Sequence, residues 1–135
     1  MKYLLDTNIV SDAMNNPDGP VASKLIEMEG KELFTSIIVA GELRFGVLNR
    51  GSRRMARNLN AILGKLEVRP LVAPMEEHYS VARLALERKG RPIGQNDTWI
   101  AAHALALDAI VVTDNVKHFS QVPGLKIENW LRDEA

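Results

Sequence analysis

Ala109-Ile110-Val111-Val112-Thr113-Asp114 is a β-branched run that ends on a hydroxyl and an acid. Apolar residues at every position, rather than at alternate ones, mark a strand covered on both faces. Just before it, the stretch up to Leu107 is rich in alanine and spaced as a helix that packs tightly. A helix feeding a buried strand is the repeating unit of an α/β fold, and the rest of the chain follows the same rhythm.

Lys2 to Leu5 is a second apolar run, closed by Asp6, with the expectation that Asp6 sits at a strand tip opening onto a loop. Pro20 heads a helix that stops near Gly30, and Leu33 to Ser36 reads as a strand. Val39, Leu43, Gly46 and Val47 recur at helical spacing between Ile38 and Asn49, with Gly51 as the stop. Ser52 caps the next helix, which runs to about Glu67. Val68 to Val72 contains Pro70, so it is an edge strand or one that ends early. Pro74 opens a long helix ending before Gly90. Gly90 to Gln95 is a loop, and Asn96 or Asp97 is expected to cap the alanine-rich helix. A short helix and a strand near Leu125 to Glu128 close the pattern.

The alternation predicts a three-layer α/β domain, with a central parallel sheet flanked by helices and the site beyond the carboxyl ends of the strands. At 135 residues one domain, 1–135, is expected. Hydrophobic residues at 46% and charged residues at 25% are those of a globular protein. Seventeen basic and seventeen acidic residues cancel, so any grip on nucleic acid has to be local. The absence of cysteine removes disulfides, thiolate zinc sites and cysteine nucleophiles, and fits a cytoplasmic setting. No apolar run suits a signal peptide or a membrane span. No glycine loop of the nucleotide-binding kinds is present.

Four acids fall where this pattern brings them together: Asp6 and Asp114 after strands, Asp97 at a helix start, and Glu42 within a helix. Glu42 lies three residues after Val39 and thus on or beside the apolar stripe, an unusual place for a merely solvating glutamate. Taken singly, Asp6 and Asp114 also suit turns, Asp97 a cap and Glu42 a surface charge. Carboxylates crowded at a sheet edge repel, so the set implies shared protons or a bound cation. Oxygen donors favour Mg²⁺ or Mn²⁺, which position a water for attack on phosphorus. His78, His103 and His118 are not paired at ligand spacing, so zinc has little support.

The context of each acid resembles the PIN-domain ribonucleases and, more closely, the VapC-type toxins of bacterial toxin–antitoxin modules. Tyr3-Leu4-Leu5-Asp6-Thr7-Asn8 is similar to their opening strand and first acid. Thr35-Ser36 with Gly41-Glu42-Leu43 resembles the segment that carries the second, and Ile93-Gly94-Gln95-Asn96-Asp97 with Trp99-Ile100-Ala101-Ala102-His103-Ala104 the third. Val111-Val112-Thr113-Asp114-Asn115, His118-Phe119 and Glu128-Asn129-Trp130 resemble the family's ending. The likeness runs nearly end to end. It implies a PIN-like fold, Mg²⁺-dependent endonuclease activity on structured RNA such as transfer RNA, a small VapB-like antitoxin as partner, and a homodimer. By the spacing from Thr113 to Phe119 the fourth acid position falls on Asn115 rather than Asp114, and some of these toxins similarly carry an amide there. Thr7, Asn8 and Thr113 suit donors that orient carboxylates or the attacking water.

Arg44, Arg50, Arg53, Arg54 and Arg57 lie on two neighbouring helices and are candidates for RNA phosphates, for the antitoxin, or for a plain solvated face. His103 is expected to be packed and hydrogen-bonded in the core, without a catalytic part. Trp99 and Trp130 suit core or interface, and Trp99 a dimer contact. Two rivals stand beside the nuclease. An aspartyl-phosphate enzyme would want an acid where Asn8 stands, and a PIN-like module that binds RNA or a partner while cutting weakly or not at all would accommodate a weak fourth acid.

Overall fold

The computed structural model describes residues 1–132. Five parallel strands form one sheet: β1 (Lys2–Leu5), β2 (Glu32–Ser36), β3 (Glu67–Arg69), β4 (Ala109–Val112) and β5 (Lys126–Glu128), in the order β3-β2-β1-β4-β5. Seven helices flank it: α1 (Thr7–Asn15), α2 (Pro20–Glu27), α3 (Ile37–Arg50), α4 (Arg53–Lys65), α5 (Met75–Arg88), α6 (Gln95–Leu107) and α7 (Val116–Phe119). The α/β class and the parallel sheet are those expected from the alternation.

The two central strands carry the core. Leu4, Leu5, Val111 and Val112 are at most 1% exposed, and each such side chain contributes about 1.5–3 kcal/mol by leaving water. β1 and β4 run in register, Leu5 beside Val112, so their carboxyl ends finish together. The chain leaves β1 for β2 on one side and later places β4 on the other, so strand order reverses between β1 and β4. A parallel sheet opens a crevice at such a reversal. Asp6 and Thr113 are the first residues beyond the two strands, and the Asp6 N–H still donates to the Val112 carbonyl at 2.9 Å. β3 stops at Arg69, one residue before Pro70, and lies at the sheet edge as proline requires.

Two local expectations need correction. A loop was expected after Asp6, but α1 begins at Thr7, and Asp6 holds the extended N-cap conformation (φ −76°, ψ 167°) without a side-chain cap bond. The strand passes directly into a helix because Ile9 and Val10 bury in the core, with Ala13 and Met14, four residues on from each, packed against it. Asn96 or Asp97 was expected to cap α6. Gly94 does so instead, at φ +95°, a conformation that favours glycine, and the helix begins at Gln95. Asp97 is thereby within the first turn, its carboxylate free for other partners. Most other boundaries hold to within a residue or two, although α2 ends three residues short of Gly30 and β3 three short of Val72; Ser36 and Ser52 cap α3 and α4 by accepting from Ile38 N and Met55 N, and Gly51 ends α3 at φ +67°.

Among the described residues no helix is long and apolar enough to cross a membrane. Trp130 is buried against Tyr3, while Trp99 is half-buried and stacks on Tyr79 with ring centroids 3.9 Å apart.

Candidate active site

The carboxyl edge of the sheet gathers residues from four segments. Asp6, at the end of β1, is 4% exposed, and its Oδ2 accepts from the Thr113 hydroxyl at 2.7 Å. Burial pushes its carboxyl up to about 6, against the pull of the Thr113 hydroxyl and the Thr7 backbone N–H, and the charges of Asp97 and Glu42 push the same way. The carboxylates of Glu42 on α3 and Asp97 on α6 therefore each lie within electrostatic reach of Asp6 at the end of β1.

Each of the other two is tethered. Glu42, half-buried on α3, accepts from the Thr7 hydroxyl through Oε1 at 2.8 Å. Asp97 Oδ2 stands 3.4 Å from the Asn115 side-chain amide and 3.5 Å from Nδ1 of His118. Burial raises the Asp97 carboxyl, while His118 and Asn115 work against that rise. Thr113 joins two sides of the crevice, since the oxygen that donates to Asp6 also accepts from the Asn115 N–H at 2.9 Å. Asn8 accepts from the Asp114 N–H at 3.1 Å and so fixes the turn after β4.

Asp114 and Asn115 face different ways. The Asp114 carboxylate accepts from Asn129 Nδ2 at 3.0 Å and from Arg132 Nε at 2.9 Å, which ties the β4 turn to the chain beyond β5. The Asn115 amide turns to Asp97 and His118. The structure thus brings Asp6, Glu42, Asp97, Thr7, Thr113 and Asn115 to one crevice, and gives the Asp114 carboxylate partners in the C-terminal segment.

Sequence reasoning missed several residues here. His118 follows Asn115 by three, one helical turn, and that spacing was the available signal. A groove beside Glu42 is lined by Thr7, Ile37, Gly41, Phe45 and Asn96. Ile37 and Phe45 remain 47% and 69% exposed; their helical spacing signalled a face, but not that it lacks a cover. Of the arginines, Arg44 donates to Asn60 and Arg50 reaches the Met55 sulfur, while Arg53, Arg54 and Arg57 are exposed on α4.

The donor chemistry fits a hard divalent cation: carboxylate oxygens, no thiol, and negative charge that burial makes costly to leave uncompensated. Among the described residues no three acids or histidines stand close enough around one point to hold an ion as they are placed. The hydroxyls of Thr7 and Thr113 and the Asn115 amide hold the carboxylates.

Comparison with known proteins agrees with this architecture. The PIN domain family model matches residues 3–125. Ribonuclease VapC2 of Rickettsia felis is 37% identical over 132 residues, 96% of this chain and 98% of that protein. The tRNA(fMet)-specific endonuclease VapC of Shigella flexneri is 34% identical over 96% of this chain and 98% of its own length. The crystal structure of Rickettsia felis VapBC2 bound to a DNA fragment from its promoter superposes with a TM-score of 0.87 at 36% identity, covering 96% of this chain and 99% of that one. The chain belongs to the PIN-domain family, as one of its VapC-type ribonuclease toxins.

Proposed function

We propose that this ribonuclease cleaves structured RNA, transfer RNA foremost, with Mg²⁺ or Mn²⁺ held by Asp6, Glu42 and Asp97, and that a VapB-like antitoxin silences it. The observation that carries the reading is the arrival of three carboxylates from β1, α3 and α6 at the reversal of strand order, close enough for Glu42 and Asp97 to raise the Asp6 carboxyl. Held by Asp6, Glu42 and Asp97, a divalent cation would help activate water for attack on phosphorus and would offset charge on the leaving oxygen.

The chain's own residues prepare that chemistry. Thr113 orients Asp6, Thr7 orients Glu42, and Asn115 steadies Asp97, so that each carboxylate presents its remaining oxygen lone pairs to the crevice. Asn115, in contact with Asp97, is the better candidate for the fourth position; Asp114 serves the site by anchoring the turn through Asn129 and Arg132. Arg44, Arg50, Arg53 and Arg54 offer cations for the RNA backbone on the helices that follow Glu42. The exposed groove with Ile37 and Phe45 beside Glu42 suits an apolar segment of the antitoxin. The relatives' transfer-RNA and VapBC descriptions support the substrate and the partner. The protein works in the cytoplasm, and Trp99 stacked on Tyr79 is offered to a homodimer contact.

The test is incubation of antitoxin-free protein with bulk transfer RNA. Cleavage that needs Mg²⁺ or Mn²⁺ and disappears in Asp97→Asn supports the reading, and cleavage that survives both chelation and Asp97→Asn defeats it. A module that binds RNA or its partner without cutting draws on the separation of the carboxylates. It would be favoured by tight RNA binding with no metal-dependent product.

A further inference from the structure

His103 takes no part in the chemistry proposed for the carboxylates, yet it stands fully buried on the alanine-rich helix α6, its ring 5.7 Å from that of Phe34. A leucine would fill this space with no polar atom to satisfy. The imidazole instead leaves Nε2 buried without a partner. What it gains is a 2.9 Å hydrogen bond between Nδ1 and the Ser36 hydroxyl.

The surroundings keep the ring neutral and the hydroxyl shared. Burial, with the Arg69 charge adding to it, holds the imidazole down at about 4, so the ring is neutral near pH 7. Ser36 Oγ already accepts from the Ile38 N–H at 3.1 Å as the cap of α3. Its proton and its second lone pair both remain for Nδ1, so either neutral tautomer of the ring closes the bond. Ser36 therefore serves two elements at once, its own helix and α6.

The spacing links this pair to the site. Ser36 lies six residues before Glu42 on α3, and His103 six residues after Asp97 on α6, about 9 Å along each helix. Fixing one against the other fixes the relative height of the helices that carry two of the three carboxylates. Next to it the Thr35 hydroxyl donates to the Leu5 carbonyl at 2.6 Å, which ties the same stretch of β2 to the strand that ends at Asp6.

We propose that His103 is a positioning residue for the nuclease reaction: through Ser36 it locks α6 to the first turn of α3 and so sets the separation of the Asp97 and Glu42 carboxylates. The inference rests on the reading of these acids as holders of the cation.

The experiment compares full-length wild type with His103→Leu, His103→Asn, Ser36→Ala, Ser36→Thr and the double variant Ser36→Ala/His103→Leu. Three quantities are measured: the metal-free thermal midpoint, Mn²⁺ affinity by electron paramagnetic resonance without RNA, and kcat and KM on bulk transfer RNA. His103→Leu is expected to stay folded, to bind Mn²⁺ about tenfold or more weakly, and to lose kcat by a similar factor while KM stays within about twofold. His103→Asn, whose side-chain oxygen can accept from Ser36, recovers most of both losses. The double variant falls no further than the worse single one, because the two side chains act as a unit. Folded His103→Leu with wild-type Mn²⁺ affinity and kcat would make the histidine mere core filling and overturn the inference. If His103→Leu does not fold, the Ser36 pair decides: loss in Ser36→Ala with retention in Ser36→Thr supports the lock, and equal behaviour of the two overturns it. Wild type that neither binds Mn²⁺ nor cuts transfer RNA would overturn the metal reading itself, an outcome distinct from variants that merely match an active wild type.

Discussion

Asp6 bears the greatest electrostatic burden of any residue in the crevice, and its titration can be turned into a stability measurement. With its carboxyl raised from 3.8 to about 6, the folded state holds the proton more tightly than the unfolded one, so this group's contribution to stability declines as pH climbs from about 4 to 6. The full effect is at most about 3 kcal/mol for a shift of this size. His103, lowered from 6.5 to about 4, contributes with the opposite sign across an overlapping window, so the wild-type profile alone would hide both. Asp6→Asn separates them. In metal-free buffer its thermal midpoint should exceed that of wild type at pH 7, with the advantage shrinking toward pH 4. An advantage independent of pH would count against a strained carboxylate. Added Mn²⁺ should raise the wild-type midpoint at pH 7 and leave Asp6→Asn nearly unmoved. The neighbours Asp114 and Asn115 allow a second comparison by cleavage assay. Asp114→Asn should retain most activity, its pair with the exposed Arg132 being worth about 1 kcal/mol or less, while Asn115→Ala should lower kcat about tenfold.

At the scale of elements, the start of α6 matters most, because it aims Asp97. Gly94→Ala meets no atom within 4 Å, so any cost comes from the backbone at φ +95°, ψ 155°, about 1–3 kcal/mol. Its denaturant midpoint should fall accordingly, and cleavage with it, as the first turn rewinds and Asp97 swings from Asn115. Loss of stability without loss of turnover would show that this cap does not aim the acid. The same turn shows where a sequence stops being legible. β4, α3 with its Gly51 stop, and the Ser52 cap could be read because apolar spacing and cap residues act locally. That α6 starts at Gln95 could not, since Asn96 and Asp97 are as good at capping as Gly94, and the choice is made by partners 18 and 21 residues away, Asn115 and His118. Helix α1 escaped for a related reason. Its short stretch from Thr7 to Asn15 offers only Ile9 and Val10 as fully buried residues, too few to establish a period before the polar run that follows. The acids themselves were visible, because residues ending buried strands must lie at the sheet edge. Which way Asp114 and Asn115 face was not, because Asn129 and Arg132 decide it.

Across the whole molecule, equal numbers of acidic and basic residues conceal a division of labour. Asp6, Glu42 and Asp97 meet at the crevice, while Arg53, Arg54 and Arg57 stand exposed on α4 without an ion-pair partner among the described residues. If these arginines meet phosphates, replacing Arg53 and Arg54 with alanine should raise KM for transfer RNA and flatten the salt dependence of binding by about one unit of slope per lost contact, with kcat little changed. An unchanged salt slope would leave them as a solvated face. Everything nonetheless depends on whether the β1, α3 and α6 carboxylates share a cation. Anomalous diffraction from crystals of the antitoxin-free protein grown with Mn²⁺ addresses that directly. The account predicts a peak in the crevice within about 2.0–2.4 Å of oxygens from Asp6 and Asp97, with Glu42 drawn toward it. A peak absent from that crevice at saturating Mn²⁺, or present only elsewhere on the protein, would contradict it.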